Sequence, residues 1–141
     1  MQIDALDISA SALAAQRIRM NAIAGNIANA GTTRDAWGRN IPYRRQEVLF
    51  AAGAPGHSGD AGVRVDSVRD SRDPYRWIHD PGHPDAIRDP ASPRNGSVLM
   101  PRINVVEEMV DMMLASRSYE ANLAAIDVTK TMKAAALRII A

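Results

Sequence analysis

Apolar residues gather at the two ends of the chain, and their spacing there is helical. Near the start, Leu6, Leu13, Met20 and Ile27 recur every seven residues, with Ala10 and Ile23 filling intermediate positions on the same side. This rhythm predicts a helix from about Asp4 to Asn29 with one narrow apolar seam. Asp4 is placed to cap it, and Asp7 lies in the first turn, where a carboxylate meets the positive end of the helix dipole. Gly31 follows the last periodic residue and suits a left-handed C-terminal cap.

The last segment starts at Asn104 after Pro101, and Asn104 with Glu107 three residues on resembles a capping box. From there to about Ile140 no Gly or Pro interrupts, which predicts a helix of some 36 residues, ~54 Å long at 1.5 Å per residue. Two apolar stripes run along it. The first is Val105, Met109, Met112, Ser116, Tyr119, Leu123, Ile126, Lys130, Lys133, Leu137 and Ile140. The second is Leu114, Ser118, Ala121, Ala125, Val128, Met132, Ala135 and Ile139. At ~100° per residue the stripes sit roughly 200° apart, on opposite sides of the cylinder.

One helix can cover only one of these stripes, because an antiparallel pair shares a single seam. Burying an Ile, Leu or Met contributes about 1.5–3 kcal/mol, while ordering each residue costs about 1.5 kcal/mol. A lone pair of these helices is therefore expected to be marginal, and the second stripe is expected to be covered by neighbouring copies or other subunits. The alternative is a central segment folded back over that stripe.

The centre differs in kind from the ends, collecting most of the Pro, Gly and Asp. "YRRQEVLFA" (43–51) and "GVRVDSVRD" (62–70) are rich in strand formers, and the Gly-rich stretch between them reads as a loop, so an antiparallel hairpin is expected. "PYRWIHDP" predicts a further short strand or extended arm, and "SVLMP" another. The expected fold is mainly α with a small β part. Its long terminal helices pack antiparallel as a coiled-coil-like pair, in three segments: 1–33, 34–103 and 104–141.

Charge and candidate chemistry exclude more than they suggest. Net charge is +1 and the Arg residues are interspersed with Asp, so no basic footprint for nucleic acid or an anionic membrane is present. With no cysteine there is no disulfide, thiolate metal site or Cys nucleophile. The first residues lack a basic and apolar leader pattern, and no run of about 18 apolar residues predicts a membrane span. The most chemical-looking stretch, "IHDPGHPDAIRD", carries His79, Asp80, His83 and Asp85. Two His residues four apart share a helical face, but Pro81 and Pro84 preclude that helix and speak against a metal pair. No nucleophile elbow, Walker loop or dinucleotide fingerprint occurs. No catalytic residue, cofactor or metal is expected.

Several stretches together carry a resemblance. "ALDISASALAAQRIRMNAIAGNIANAGTT", "YRRQEVLF", "GVRV", "DPGHPDA" and "MPRINVVEEMVDMMLASRSYEANLAAIDVTKTM" resemble, in order and over nearly the whole chain, the bacterial flagellar basal-body rod proteins. The first signature and "SRSYEAN" are of the kind shared by rod and hook proteins in general. The short length, "PYRRQ", "DPGHPDA" and "NVVEEMVDMM" point to the proximal rod. Gly25 stands where the family usually has Asn, as does Gly31.

The resemblance implies a non-enzymatic subunit of the hollow drive shaft that crosses the periplasm. Such subunits transmit torque and form part of the export channel wall. Their terminal helices pair and pack side by side in an inner tube, are typically disordered before assembly, and are exported unfolded through the type III apparatus by uncleaved N-terminal information. Implied partners are copies of the chain, rod subunits of the FlgB, FlgF and FlgG types, a FliE-type adaptor and the membrane ring. The expected subunit-interface residues are Leu6, Leu13, Met20, Asn21, Ile23, Asn26, Ile27 and Asn29 on the first helix. On the second they are Val105, Met109, Met112, Leu114, Tyr119, Asn122, Leu123, Ile126, Val128, Met132, Leu137, Ile139 and Ile140.

Asn in a helix needs a reason. For Asn21, Asn26 and Asn29 it is either amide bonding to neighbouring subunits, which fixes register, or simple helix termination. Alternatives to the rod reading are another axial protein of the same machine, a two-helix adaptor that does not polymerise, or a small metal-dependent enzyme using His79 and His83.

Overall fold

The computed structural model describes residues 5–53 and 61–140, the side chains of residues 139 and 140 excepted. The cap expected of Asp4, and the side chains of Ile139 and Ile140, therefore lie outside the described residues. In chain order the elements are α1 (Ala5–Ala28), β1 (Gln46–Ala52), β2 (Val63–Asp70), β3 (Tyr75–His79), β4 (Ser97–Pro101) and α2 (Val105–Ile140).

Helix α2 begins as its sequence suggests, with Asn104 Oδ1 accepting the Val106 N–H at 3.1 Å and so satisfying one of the orphan donors of the first turn. The end of α1 differs from expectation. Among the described residues no non-glycine has positive φ, and Gly31 is not among the glycines that do, so the left-handed cap is absent. Asn29 replaces it: its Nδ2 donates back to the Gly25 carbonyl at 2.9 Å, and its own carbonyl accepts the Thr32 N–H at 3.1 Å. With the last carbonyls occupied in this way, the chain leaves the helix without a left-handed residue.

Two hairpins fill the centre where one was expected. β1 and β2 pair antiparallel from Gln46 opposite Asp70 to Ala52 opposite Val63, with a bulge after Leu49 that takes up Asp66. β3 and β4 form a separate antiparallel sheet, Tyr75 opposite Pro101 and His79 opposite Ser97. Turns between β3 and β4 close on Gly96, whose φ is +74° and where a Cβ would lie 2.8 Å from His79 Cε1. Only glycine fits both the backbone and the space. Ala86, Val98, Pro101 and Ile103 are enclosed apolar residues of this part of the chain.

The first hairpin lies on α1, and α1 lies on α2; neither hairpin packs on α2. The two helices run antiparallel, as Asn26 meets Glu108 and Arg19 meets Asp111. Sandwiching moves the buried side of α1. Its most enclosed residues are Ser11, Ala15, Ala22, Ile23 and Asn26. Four of these, Ser11, Ala15, Ala22 and Asn26, lie about 160° round the helix from the seam of Leu6, Leu13, Met20 and Ile27. Those four seam residues are only half-buried. Small and polar side chains admit the hairpin backbone: Ser11 Oγ accepts the Val63 N–H at 3.1 Å while donating to the Ile8 carbonyl at 2.7 Å.

Candidate assembly surface and the clasp that positions it

Three elements meet at one buried carboxylate. Glu108, in the first turn of α2, is 1% exposed. Its Oε1 accepts Arg45 Nε at 2.6 Å and its Oε2 accepts Asn26 Nδ2 at 3.1 Å. Asn26, also 1% exposed, turns both sides of its amide to the strand: Nδ2 donates to the Gln46 carbonyl at 2.9 Å and Oδ1 accepts the Gln46 N–H at 2.8 Å. The Tyr43 hydroxyl reaches the same Oδ1 at 3.4 Å. α1, α2 and the start of β1 are thus fastened by one cluster of polar groups, each with a partner, the condition under which buried polar groups fix geometry without penalty.

The electrostatics follow from the geometry. Partial burial works against charge on Arg45, but the hydrogen bond and charge of Glu108, with Glu47 and Asp111 behind, hold its guanidinium pKa above the ordinary value. Burial pushes the Tyr43 phenol up, assisted by the charges of Asp70 and Glu108. A second tie holds the outer hairpin. The Asp85 carboxylate accepts hydrogen bonds from Arg34 and from Thr33 Oγ1, the latter at 2.6 Å. The hydrogen bond from Arg34, then that from Thr33, hold the Asp85 pKa below the usual carboxylate range.

Asn26 is therefore used within the chain, where the sequence suggested a neighbouring subunit; its donors and acceptor point at Gln46, Tyr43 and Glu108. Asn29 terminates α1, and Asn122 Nδ2 donates to the Ser118 carbonyl at 2.7 Å along α2. Asn21 is exposed. Arg45, Gln46 and Glu108 were missed from the sequence. "PYRRQ" and "NVVEEM" stood out as motifs, but nothing in either named the other as its partner across a separation of 63 residues.

The clasp leaves one broad surface uncovered. Along α2, Val105, Met112, Tyr119, Asn122 and Ile126 are half-buried on the side of buried Glu108 and Ala115. Leu114, Val128 and Met132 of the second stripe are exposed, and so are Met109, Leu123 and Leu137 of the first. Val106, 69% exposed, Val110 and Met113 join them; lying between the two stripes, they belonged to neither in the sequence pattern. The central segment does not fold over this face. Monomers rarely expose contiguous apolar patches beyond a few hundred Å² unless something docks there.

Among the described residues no three His, Cys, Asp or Glu side chains converge to hold a metal ion. His83 Nδ1 is occupied by the Asp85 N–H at 3.1 Å. No helix among the described residues is long and apolar enough to cross a membrane.

Comparison with known proteins decides what the surface belongs to. Residues 6–34 match the family model described as flagella basal body rod protein, and residues 94–139 match that of the flagellar basal body rod FlgEFG protein C-terminal region. The flagellar basal-body rod protein FlgC of Borreliella burgdorferi is 39% identical over 96% of this chain and 95% of its own. That of Salmonella typhimurium is 40% identical, over 92% and 91%. The FlgC of Bacillus subtilis is 36% identical, over 95% of each. The chain belongs to the FlgC family of flagellar basal-body rod proteins.

It is a structural subunit of the proximal rod of the flagellar basal body and assembles with other rod proteins. The two family models coincide with the helical ends, one covering α1 and the turn after it, the other β4 and α2. The clasp of the rod subunit joins them, Asn26 from the first matched segment to Glu108 from the second, through Arg45 and Gln46, which lie in neither.

Proposed function

We propose that this rod subunit builds the shaft through its uncovered α2 face, with the paired helices (1–33 and 104–141) forming an inner axial part and residues 34–103 an outer part set at a fixed angle by the clasp. The observation that carries the reading is the row of exposed Val106, Met109, Val110, Met113, Leu114, Val128 and Met132 on a helix that no further element among the described residues covers. An apolar face of this length is covered in a stable structure only by other subunits. The expected interface residues on α2, together with Leu6, Leu13, Met20, Asn21 and Ile27 on α1, would lie against those neighbours.

In this role the subunit carries torque through the periplasmic rod and lines part of the channel through which later components pass. Rod proteins of the FlgB, FlgF and FlgG types, a FliE-type adaptor, the membrane ring and further copies are its neighbours, and export unfolded through the type III apparatus brings it there. It performs no catalysis. Support comes from the family membership and the thin burial of a single chain.

The test is a pair of aspartates on the outer face, Val110→Asp with Met113→Asp. Both positions are exposed, so the clasp and the helix pair persist. Cells carrying the variant as their only copy are expected to lack rods beyond the membrane ring by electron microscopy and to be non-motile. Normal basal bodies with the variant chain present would refute the assembly role of this face.

A further inference from the structure

Asn95 and Gly96 form the centre of the turn that leads into β4. The Ser97 N–H donates to the Arg94 carbonyl across them at 3.0 Å, and Gly96 takes a φ of +74° while Asn95 has none of that sign, the pattern of a type II turn. The Asn95 side-chain amide is exposed and makes no hydrogen bond among the described residues. Gly96 has both of its backbone groups engaged. Its N–H donates to the Ile87 carbonyl at 2.8 Å and its carbonyl accepts the Asp80 N–H at 2.9 Å, while the Ile87 N–H donates to the Ser97 carbonyl at 3.0 Å. A Cβ on Gly96 would lie 2.8 Å from His79 Cε1 and 3.2 Å from Pro81 Cγ, so the residue is fixed in a tight space.

A free asparagine amide beside glycine is chemically vulnerable. The backbone nitrogen that follows can attack the side-chain carbonyl carbon, and glycine leaves that nitrogen unshielded because it has no side chain. Of the seven asparagines in the chain, Asn95 alone is followed by glycine. In the folded hairpin the hydrogen on that nitrogen is held by the Ile87 carbonyl. The bond has to open before the nitrogen can lose its proton and turn on Asn95 Cγ, so attack is slowed by the free energy of local opening.

We propose that Asn95–Gly96 is a self-modification site, reactive in the unfolded chain and silenced by closure of the β3–β4 hairpin. The deprotonated Gly96 nitrogen bonds to Asn95 Cγ, the bond from Cγ to the amide nitrogen breaks, and that nitrogen leaves as ammonia with the proton, giving a cyclic succinimide. Water then opens the ring. Attack at Cγ gives aspartate; attack at the backbone carbonyl carbon of residue 95 gives isoaspartate, in which the chain runs through the side-chain carbon. Aspartate leaves the backbone unchanged. Isoaspartate lengthens it by one methylene directly before Gly96, so Gly96 cannot meet both Ile87 and Asp80 as it does in the hairpin. A chain held unfolded thus accumulates a form whose second hairpin no longer closes, and the time it has spent unfolded is recorded in its covalent structure. The inference is independent of the rod reading.

The test incubates purified chain at mildly alkaline pH in urea and, in parallel, in native buffer. Peptide mapping by mass spectrometry follows each asparagine, enzymatic isoaspartyl methylation separates the two products, and hydrogen exchange is read at the Gly96 amide in the same samples. In urea, conversion is expected at Asn95 at least tenfold faster than at any other asparagine, with isoaspartate as a major product. In buffer it is expected to slow at least tenfold, in step with protection of the Gly96 amide. Equal rates in the two solutions, or a Gly96 amide that exchanges as fast in buffer as in urea, overturn the silencing. Conversion at Asn95 no faster in urea than at the other asparagines overturns the site itself.

Two variants decide the rest. Gly96→Ala is expected to slow conversion at least tenfold in urea, where folding plays no part, and an unchanged rate there refutes the role of the bare nitrogen. Asn95→Asp reproduces the aspartate product and is expected to resist limited proteolysis between residues 75 and 101 like the parent, whereas isoaspartyl chain returned to buffer is expected to be cut there. Isoaspartyl chain as resistant as the parent, or Asn95→Asp as susceptible as isoaspartyl chain, refutes the consequence for the hairpin.

Discussion

Asn26 holds Gln46 by both of its backbone groups, accepting the N–H at 2.8 Å and donating to the carbonyl at 2.9 Å. A side-chain amide on α1 thus stands in for a neighbouring strand at the start of β1. Replacing Asn26 by Ala strips partners from two backbone groups and from Glu108, and the expected loss is roughly 2–4 kcal/mol, since each buried polar group left unpaired costs about 1–3 kcal/mol. Asn26→Asp is expected to be worse than Ala, because it keeps the acceptor for Gln46 but places a second carboxylate against Glu108. Denaturant unfolding of the variants checks the order.

The Arg45–Glu108 pair gives a second expectation. Arg45→Ala leaves a carboxylate enclosed with Asn26 as its remaining partner in the clasp, and breaking a buried pair from one side costs about 3–5 kcal/mol; the half-open position of Arg45 puts the result at the low end. Glu108→Gln keeps one acceptor oxygen but turns its NH2 toward a donor, either Arg45 Nε or Asn26 Nδ2, so it is expected to lose one of the two bonds together with the charge. The double variant Arg45→Met with Glu108→Leu is expected to lose much less than the sum of the losses of Arg45→Met and Glu108→Leu made singly, and a thermodynamic cycle over these variants measures the difference.

Two glycines should respond in opposite directions. At Gly25, inside α1, a Cβ would meet only the Tyr43 hydroxyl at 3.5 Å, and Gly25→Ala is expected to stabilise the helix by up to about 1 kcal/mol. At Gly96 the added methyl faces both a left-handed backbone and His79 Cε1 at 2.8 Å. Gly96→Ala is expected to destabilise the β3–β4 hairpin by more than about 1 kcal/mol while leaving helical circular dichroism unchanged. Limited proteolysis between residues 75 and 101 reports the local loss.

The tie at Asp85 makes the outer hairpin sensitive to acid. Its folded pKa lies below that of the unfolded chain, with Arg34 as the leading cause. Its contribution is therefore complete above the unfolded value, near 3.9, and is lost as pH falls through the lowered folded value. Hydrogen exchange at Thr33 and residues 83–87 is expected to accelerate below about pH 4, and Asp85→Asn to show the acid-like exchange already at neutral pH. Identical profiles for parent and variant would remove the tie from the account.

Burial in the single chain is thin, and this bears on the dilute protein. The enclosed apolar residues among those described are mostly small, such as Ala15, Ala22 and Ala115, with Ile23, Val98 and Ile103 the larger ones. Helical circular dichroism and melting temperature are expected to rise with protein concentration, as association adds burial that folding alone lacks. A dilute monomer that melts cooperatively at a concentration-independent temperature would contradict the expectation.

The helical ends were plain in the sequence because amphipathic periodicity and, in α2, the absence of Gly and Pro act locally: α1 and α2 begin and end within a residue of the positions their sequences indicate. The strand segments were legible from β-branched runs bounded by turn residues, although the pairing of β3 with β4 was not, since pairing depends on the turns around Gly96 as well as on composition. The side of α1 that the single chain itself encloses was not legible for a related cause. Leu6, Leu13, Met20 and Ile27 advertise themselves by size, but the positions the fold encloses are the small and polar ones, Ser11, Ala15, Ala22 and Asn26, because a strand backbone approaches closely only where side chains are short.

The sequence by itself determined that this protein has two long helices, that the second carries more apolar surface than the first can hide, and that it resembles the rod family. These are properties of spacing along the chain. Only the tertiary structure decided that Asn26 faces inward to Gln46 and Glu108 and that the hairpin lies on α1 and leaves the outer face of α2 bare. Those outcomes depend on groups up to 82 residues apart meeting at hydrogen-bonding distance. A partner across such a separation is chosen by the packed geometry of all three elements at once, and no local pattern records it.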